Sequence, residues 1–185
     1  MNQKKIIFLL LALLLPIVVF IFLKSFGKNE FAVQPLFQDS VLASNDCEPL
    51  RYTAPYSISD SALIKLNRGV DDSLTLFVFD DPISNHRKEN STQITRIITE
   101  ISFNQIRYIT NSENLNNGKI LQNTTVVELS RNEFSTLKNC IFLLKPNDNA
   151  VLIDWNGLIM GQYDLTDLED ADRLLMEMKI ILNRY

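Results

Sequence analysis

The feature that most constrains this chain is an uncharged, apolar run of 18 residues near its N-terminus, from Ile6 to Leu23. As a helix rising about 1.5 Å per residue, this run is about 27 Å long, close to the roughly 30 Å of a bilayer's hydrocarbon core. A cleavable signal peptide has a shorter apolar region that ends in small residues, whereas this run ends with Phe22 and Leu23. The sequence therefore predicts an uncleaved transmembrane helix over residues 6–23, with Pro16 tolerated inside it.

Lysines flank the apolar run and indicate its orientation. Lys4 and Lys5 precede it on a short N-terminus, which the positive-inside rule places in the cytoplasm. The predicted organisation is a cytoplasmic segment over residues 1–5, an extended linker over 24–51 and one globular domain over 52–185. We expect a single-pass protein of the inner membrane with its C-terminal domain in the periplasm.

Composition excludes some classes of function. The net charge is −4, so the chain offers no basic face for nucleic acid. It contains no Gly-rich phosphate loop and no G-x-S-x-G motif. No small-molecule substrate is evident, and a membrane or a membrane protein is the expected partner.

The first half of the domain alternates strand and helix patterns. Leu74–Phe79 is a continuous run of β-formers, as in a strand buried on both faces. A helix is predicted from Asn90 or Ser91 to Ile101, because its isoleucines recur at i, i+3, i+4 and i+7. Further strands are predicted over Gln105–Thr110 and Thr124–Leu129, followed by a short helix capped by Ser130 that continues through Leu137.

The C-terminal third carries the clearest patterns. Ala150–Asp154 predicts a strand, Asn156-Gly157 a hairpin turn and Leu158–Tyr163 the returning strand. Thr166 and Glu169 have the spacing of a capping box for a last helix. The predicted buried stripe of that helix is Leu168, Ala171, Leu175, Met178 and Leu182.

This order of elements predicts an α/β fold of the thioredoxin-like class, in which a central mixed sheet is flanked by helices. The predicted core consists of Phe77, Phe79, Ile97, Ile101, Leu152 and Leu175.

Several of these segments resemble the SCO/SenC family. The stretch from Val151 to Asp164 ends in Gly-x-Tyr-Asp and is followed by an acidic helix start, as in the last third of that family. Tyr52–Ile58 is similar to the family's opening strand, and Phe77–Phe79 to the aromatic strand ahead of its metal site.

The resemblance implies a membrane-anchored, thioredoxin-like copper chaperone that helps to assemble the copper A centre of cytochrome c oxidase. That chemistry needs two Cys separated by three residues, plus a distant His. Here Pro82 and His86 stand at the two Cys positions, and residues 145–150 contain no His. The resemblance therefore implies a degenerate member without catalytic residues, metal or cofactor, which acts as an accessory protein on a respiratory membrane complex.

The remaining candidate residues allow alternatives. Cys47 and Cys140, the only cysteines, form a structural disulfide, remain two free thiols, or exchange disulfides catalytically. His86 is a residual ligand or an ordinary exposed loop residue. The acidic pairs Asp71-Asp72 and Asp80-Asp81 bind a hard cation, act as acid and base, or are solvated turn residues. Besides the accessory role, the chain thus fits a periplasmic thiol oxidoreductase or a structural subunit of a membrane complex.

Overall fold

The computed structural model describes residues 3–26, 32–41, 47, 52–69, 72–80, 87–111 and 124–182. The chain divides into two compact units, Met1–Ala32 and Val33–Tyr185.

The first unit contains one helix, α1, which runs from Gln3 to Phe26 and includes Pro16. Its side chains are described at Gln3 and from 12 to 22, and all of these are exposed. Across the described part of the chain, no helix combines the length and apolar character needed to cross a membrane. The predicted segment from Ile6 to Leu23 falls inside α1.

The second unit is built on one five-stranded mixed sheet in the order β3-β2-β1-β4-β5. β1 pairs in parallel with β2, and β2 in parallel with β3. β4 is antiparallel to β1, and β5 is antiparallel to β4. The elements are α2 (Asp60–Lys65), β1 (Leu74–Asp80), α3 (Arg87–Ile101), β2 (Ile106–Asn111), β3 (Thr124–Leu129), α4 (Arg131–Thr136), a π-helix (Leu137–Ile141), β4 (Ala150–Asp154), β5 (Ile159–Tyr163) and α5 (Leu168–Leu182).

The parallel β1-α3-β2 unit and the antiparallel β4-β5-α5 unit, joined through β1 and β4, make the thioredoxin-like arrangement that the element order predicted. β3 extends this sheet at its parallel edge. The predicted strands and α3 are confirmed, although α3 begins at Arg87 and therefore a few residues before Asn90.

The core lies on both faces of the sheet because every residue of β1 is buried. Phe77 and Phe79 point to one face, where they contact Phe142. Leu76 and Val78 point to the other face, where α3 and α5 pack. Of the predicted core residues, five are buried and Ile101 is only partly buried.

The predicted start of the last helix is wrong. α5 is capped by Asp167, whose Oδ1 accepts a hydrogen bond from the Glu169 amide (3.0 Å). The Thr166 hydroxyl donates to Asp164 Oδ1 (2.6 Å), and Thr166 lies one residue before the capping position. The buried stripe differs accordingly: Leu168 is 59% exposed, and the stripe consists of Ala171, Leu174, Leu175, Met178 and Ile181.

The segments before β1 pack on the β4–β5 hairpin. The Leu36 amide donates to the Ile159 carbonyl (2.7 Å), and Ser57 forms an isolated antiparallel bridge with Leu158. Among the described residues, the stretch from Tyr52 to Ile58 therefore contains one β-bridge rather than a full strand. α2 was not predicted, since its six residues are too few for a periodic signal.

Candidate functional site

The carboxyl ends of the parallel strands are where open α/β sheets bind their ligands. β1 ends at Asp80 and α3 begins at Arg87. The positions aligned with the family's copper ligands, Pro82 and His86, fall in this connection and lie outside the described residues. The sequence from Asp80 to Ile101 contains no Cys. A pair of thiolates therefore cannot form in this loop.

The acidic pairs do not come together as a cation site in the part of the chain that is described. Asp72 forms an ion pair with Arg107 (2.8 Å), and the Arg107 Nε donates to the Asn67 carbonyl (2.6 Å). Asp80 is buried, whereas Asp71 and Asp81 lie outside the described residues. The described residues include no group of three His, Cys, Asp or Glu side chains that could hold a metal.

Asn149 joins three elements close to the end of β1. Its carbonyl accepts from the Phe79 amide (2.7 Å), and its Nδ2 donates to Asn90 Oδ1 on α3 (3.1 Å). Its Oδ1 accepts from the Leu165 amide beyond β5 (2.9 Å). Sequence reasoning considered residues 145–150 only for their missing His. It missed Asn149 because the partners of this residue are distant in sequence.

Asp148 is the unusual group at this end of the sheet. Its side chain is buried, with 9% exposed, and its Oδ2 has no hydrogen-bond partner among the described atoms. Burial raises the pKa of Asp148, and the nearby carboxylates of Asp164 and Asp170 raise it further, whereas Lys145 opposes the shift. The charged form of this carboxyl therefore destabilises the fold.

We expect Asp148→Asn to stabilise the protein at pH 7 by about 1 kcal/mol, since it removes a buried charge that lacks a full set of partners. A raised folded pKa means that the carboxyl opposes folding above that pKa and stops doing so below its unfolded value. The gain should therefore shrink as the pH falls toward 4. Thermal melts of the wild type and the variant at pH 7 and pH 4 measure this gain in stability. A gain that does not depend on pH would contradict the electrostatic explanation.

The Gly-x-Tyr-Asp motif that carries the resemblance has a structural role. Tyr163 is fully buried, its hydroxyl donates to Glu177, and Arg173 lies over its ring at 4.5 Å from the centroid. A Cβ at Gly161 would lie 2.0 Å from the Tyr163 Oη. Asp164 accepts from the Thr166 amide (2.8 Å) and so shapes the turn before α5. These residues explain the fold of the last third, and none of them requires a ligand.

Gly161→Ala should lower the free energy of unfolding by about 1–3 kcal/mol, because the rigid Tyr163 ring would have to move. In a Tyr163→Leu background, where the ring is absent, the same substitution should have little further effect. Urea melts of the four proteins form a double-mutant cycle. If the two effects simply add, the close approach of Gly161 to Tyr163 is not the cause.

The two cysteines lie elsewhere in the domain. Cys47 and Cys140 are joined by a disulfide with a Cα–Cα distance of 5.3 Å. The exposed fractions of the two residues are 4% and 6%. Because reactive cysteines are low-pKa and accessible, whereas buried ones are inert, this pair has the environment of a structural bridge.

Two tyrosines reinforce the bridge at the π-helix that contains Cys140. The Tyr52 hydroxyl donates to the Cys140 carbonyl (2.8 Å), and the Tyr56 hydroxyl donates to the Ile141 carbonyl (2.6 Å). Burial, together with the neighbouring Tyr52, raises the pKa of Tyr56 to about 12. Its hydroxyl is therefore protonated, and a donor, at any physiological pH.

Two surface clefts are found in the described part of the domain. One has a volume of about 410 Å³ and lies between α2 and α4, with a mostly apolar lining that includes Leu66, Leu137 and Ile141. The other has a volume of about 380 Å³ and is lined by Asp60, Leu63, Ile64, Arg68, Gly69, Trp155 and Asn156. We call this second one the hairpin cleft, because Trp155 and Asn156 form the β4–β5 turn. The sequence analysis did not single out either cleft.

Comparison with solved structures finds similarity to a SCO1/SenC family lipoprotein from Bacillus anthracis str. Ames. The two chains are 10% identical and superpose with a TM-score of 0.46, over 61% of this chain and 83% of that one. No protein-family model matches the sequence, and no curated protein matches it. The thioredoxin-like assignment therefore depends on the order and directions of the strands.

Proposed function

We propose that this protein is a membrane-anchored, non-catalytic, SCO-like accessory or assembly protein of a respiratory membrane complex, with cytochrome c oxidase as the first partner to test. The observation that carries this proposal is the position of the chain's two cysteines. They are joined to each other in a buried disulfide, and the β1–α3 connection contains none. The domain thus keeps a thioredoxin-like sheet without the thiols that such a fold uses for chemistry.

Two features support a place on the outer side of the inner membrane. Disulfides persist in oxidising compartments such as the periplasm, and this domain has one. In the sequence, the apolar run from Ile6 to Leu23 follows Lys4 and Lys5, which favours a cytoplasmic N-terminus. From the sequence we therefore propose this run as the anchor and the second unit as the exported part.

The test is purification of the full chain from its native membranes in mild detergent, followed by mass spectrometry. We expect subunits of a respiratory oxidase to co-purify in substoichiometric amounts, as for an assembly factor. Stoichiometric recovery would favour a permanent structural subunit instead. A solitary monomer would count against both.

A copper titration tests whether the site lacks metal binding. With one equivalent of Cu(I), the purified full chain should retain no copper after desalting, and His86→Ala should behave identically. Tight one-to-one binding that is lost in His86→Ala would overturn the proposal, because it would show that a metal site survives without the Cys pair.

Thiol titration tests the rival oxidoreductase. The native protein should show no reactive thiol, and reduction should require unfolding, as for a buried bridge. A disulfide that small dithiols reduce rapidly in the folded protein would favour a thiol oxidoreductase that uses Cys47 and Cys140.

A further inference from the structure

The hairpin cleft lies at the end of the sheet opposite to the carboxyl end of β1. β4 runs antiparallel to β1, and its last residue, Asp154, pairs with Leu74, the first residue of β1. Trp155 follows Asp154 directly. The cleft is therefore separate from the loop in which a thioredoxin-like protein carries its ligands, and none of its lining residues belongs to the lost site.

Two exposed apolar side chains line this cleft together. Trp155 is 58% exposed and Ile64 is 61% exposed, and both line the cleft. Among the described residues of the second unit, only three other large apolar side chains are exposed: Leu36, Leu168 and Met176. Exposed apolar side chains that share one concave surface indicate an interaction site, and Trp is the residue most enriched among binding hot spots.

A positive charge lies beside this apolar surface. The Arg68 Nη2 donates to the main-chain carbonyls of Asp154 (2.8 Å) and Asp72 (3.3 Å). These carbonyl partners are neutral, so they hold the guanidinium in place without neutralising its positive charge. A held guanidinium favours a carboxylate, with which it forms charge-assisted hydrogen bonds. Asp60, on the rim, is the acidic residue of the lining.

We propose that the hairpin cleft docks a segment of a partner polypeptide in which an apolar side chain stands close to a carboxylate. The apolar side chain packs on Trp155 and Ile64, and the carboxylate pairs with Arg68. This inference deepens the proposed accessory role and rests on it, because a protein without chemistry of its own acts through a binding surface.

The probe is a pair of fluorescein-labelled peptides, Gly-Phe-Gly-Glu-Gly and the same peptide with Gln in place of Glu. Anisotropy titrations use the full chain in detergent micelles. The Glu peptide should bind about tenfold more tightly, which is the difference between a charged and a neutral hydrogen bond. Trp155 is the only tryptophan of the chain, so with unlabelled peptide its emission should shift to shorter wavelength as the cleft fills.

Three variants locate the binding. Trp155→Ala should abolish it, whereas Met176→Ala should not change it, although Met176 is equally exposed on α5. Asp60→Asn should strengthen binding of the Glu peptide severalfold, because it removes the repelling carboxylate. None of these exposed positions is needed for folding, unlike Arg68, whose hydrogen bonds hold the chain before β1.

Equal binding of the two peptides would overturn the proposal, as would full binding by Trp155→Ala or weaker binding by Asp60→Asn. These results are independent of the co-purification experiment. If the membrane complex co-purifies but the peptide does not bind, only the docking proposal is wrong. If the protein purifies as a solitary monomer and still binds the Glu peptide, only the respiratory assignment is wrong.

Discussion

Replacing Phe77 with Ala is expected to lower the free energy of unfolding by about 3–5 kcal/mol, as for other fully buried aromatic residues. Phe77 lies in the central strand β1 and has no exposed surface. Its ring lies 5.0 Å from that of Phe142, in a cluster that also includes Phe79. Truncation leaves a cavity that β1 cannot close, because it is hydrogen-bonded to strands on both sides.

Urea or thermal melts of the full chain in detergent measure this loss. Leu168→Ala is the matched control, since Leu168 is 59% exposed and should change stability by no more than about 0.5 kcal/mol. His86→Ala should be similarly mild. If His86→Ala destabilises as much as Phe77→Ala, the interpretation of His86 as an ordinary exposed loop residue is wrong.

The sequence predicts the sheet well because strand patterns are local. The run from Leu74 to Phe79 has no polar interruption except Thr75, and a short run of β-formers of this kind favours a strand covered on both faces. The Asn156-Gly157 turn is equally local: Gly157 has a φ of 79°, a value that favours glycine. The capping box of α4, in which Ser130 and Glu133 bond reciprocally, also depends on neighbours only.

Contacts between distant segments are what the sequence does not reveal. The Tyr52 and Tyr56 hydroxyls meet carbonyls 88 and 85 residues away, and no local pattern identifies such partners. The π-helix at Cys140 was not predicted either. The start of α5 is missed for a local reason, because the sequence offers two neighbouring capping residues, and Asp167 rather than Thr166 accepts a hydrogen bond from the helix amide.

At the candidate site, too, local features can be predicted from the sequence and contacts between distant segments cannot. The absence of Cys between β1 and α3 is evident from the sequence alone. The hairpin cleft is not, because it brings Ile64 and Arg68, from around α2, together with Trp155 from the hairpin. The buried Asp148 carboxyl is equally hidden, since its burial depends on how separate segments pack.

Removing the disulfide is the second large perturbation. The Cys47→Ala/Cys140→Ala double variant should lose about 2–5 kcal/mol, the usual range for a native bridge in a small exported domain. The two cysteines are 93 residues apart, so the bridge closes a long loop and restricts the unfolded chain strongly. Alanine at both positions leaves no reactive thiol, and the space vacated by the two buried sulfurs adds to the loss.

The Tyr52→Phe variant distinguishes the contribution of the disulfide to stability from that of the hydrogen bond beside it. It removes the hydroxyl that donates to the Cys140 carbonyl (2.8 Å) and leaves the disulfide intact. It should therefore cost only about 1 kcal/mol, the net value of one hydrogen bond. Non-reducing urea melts compare the wild type, Tyr52→Phe and the double variant. Had the bridge no structural role, the double variant would unfold at the same urea concentration as the wild type, and the exported, disulfide-stabilised domain proposed above would lose its main support.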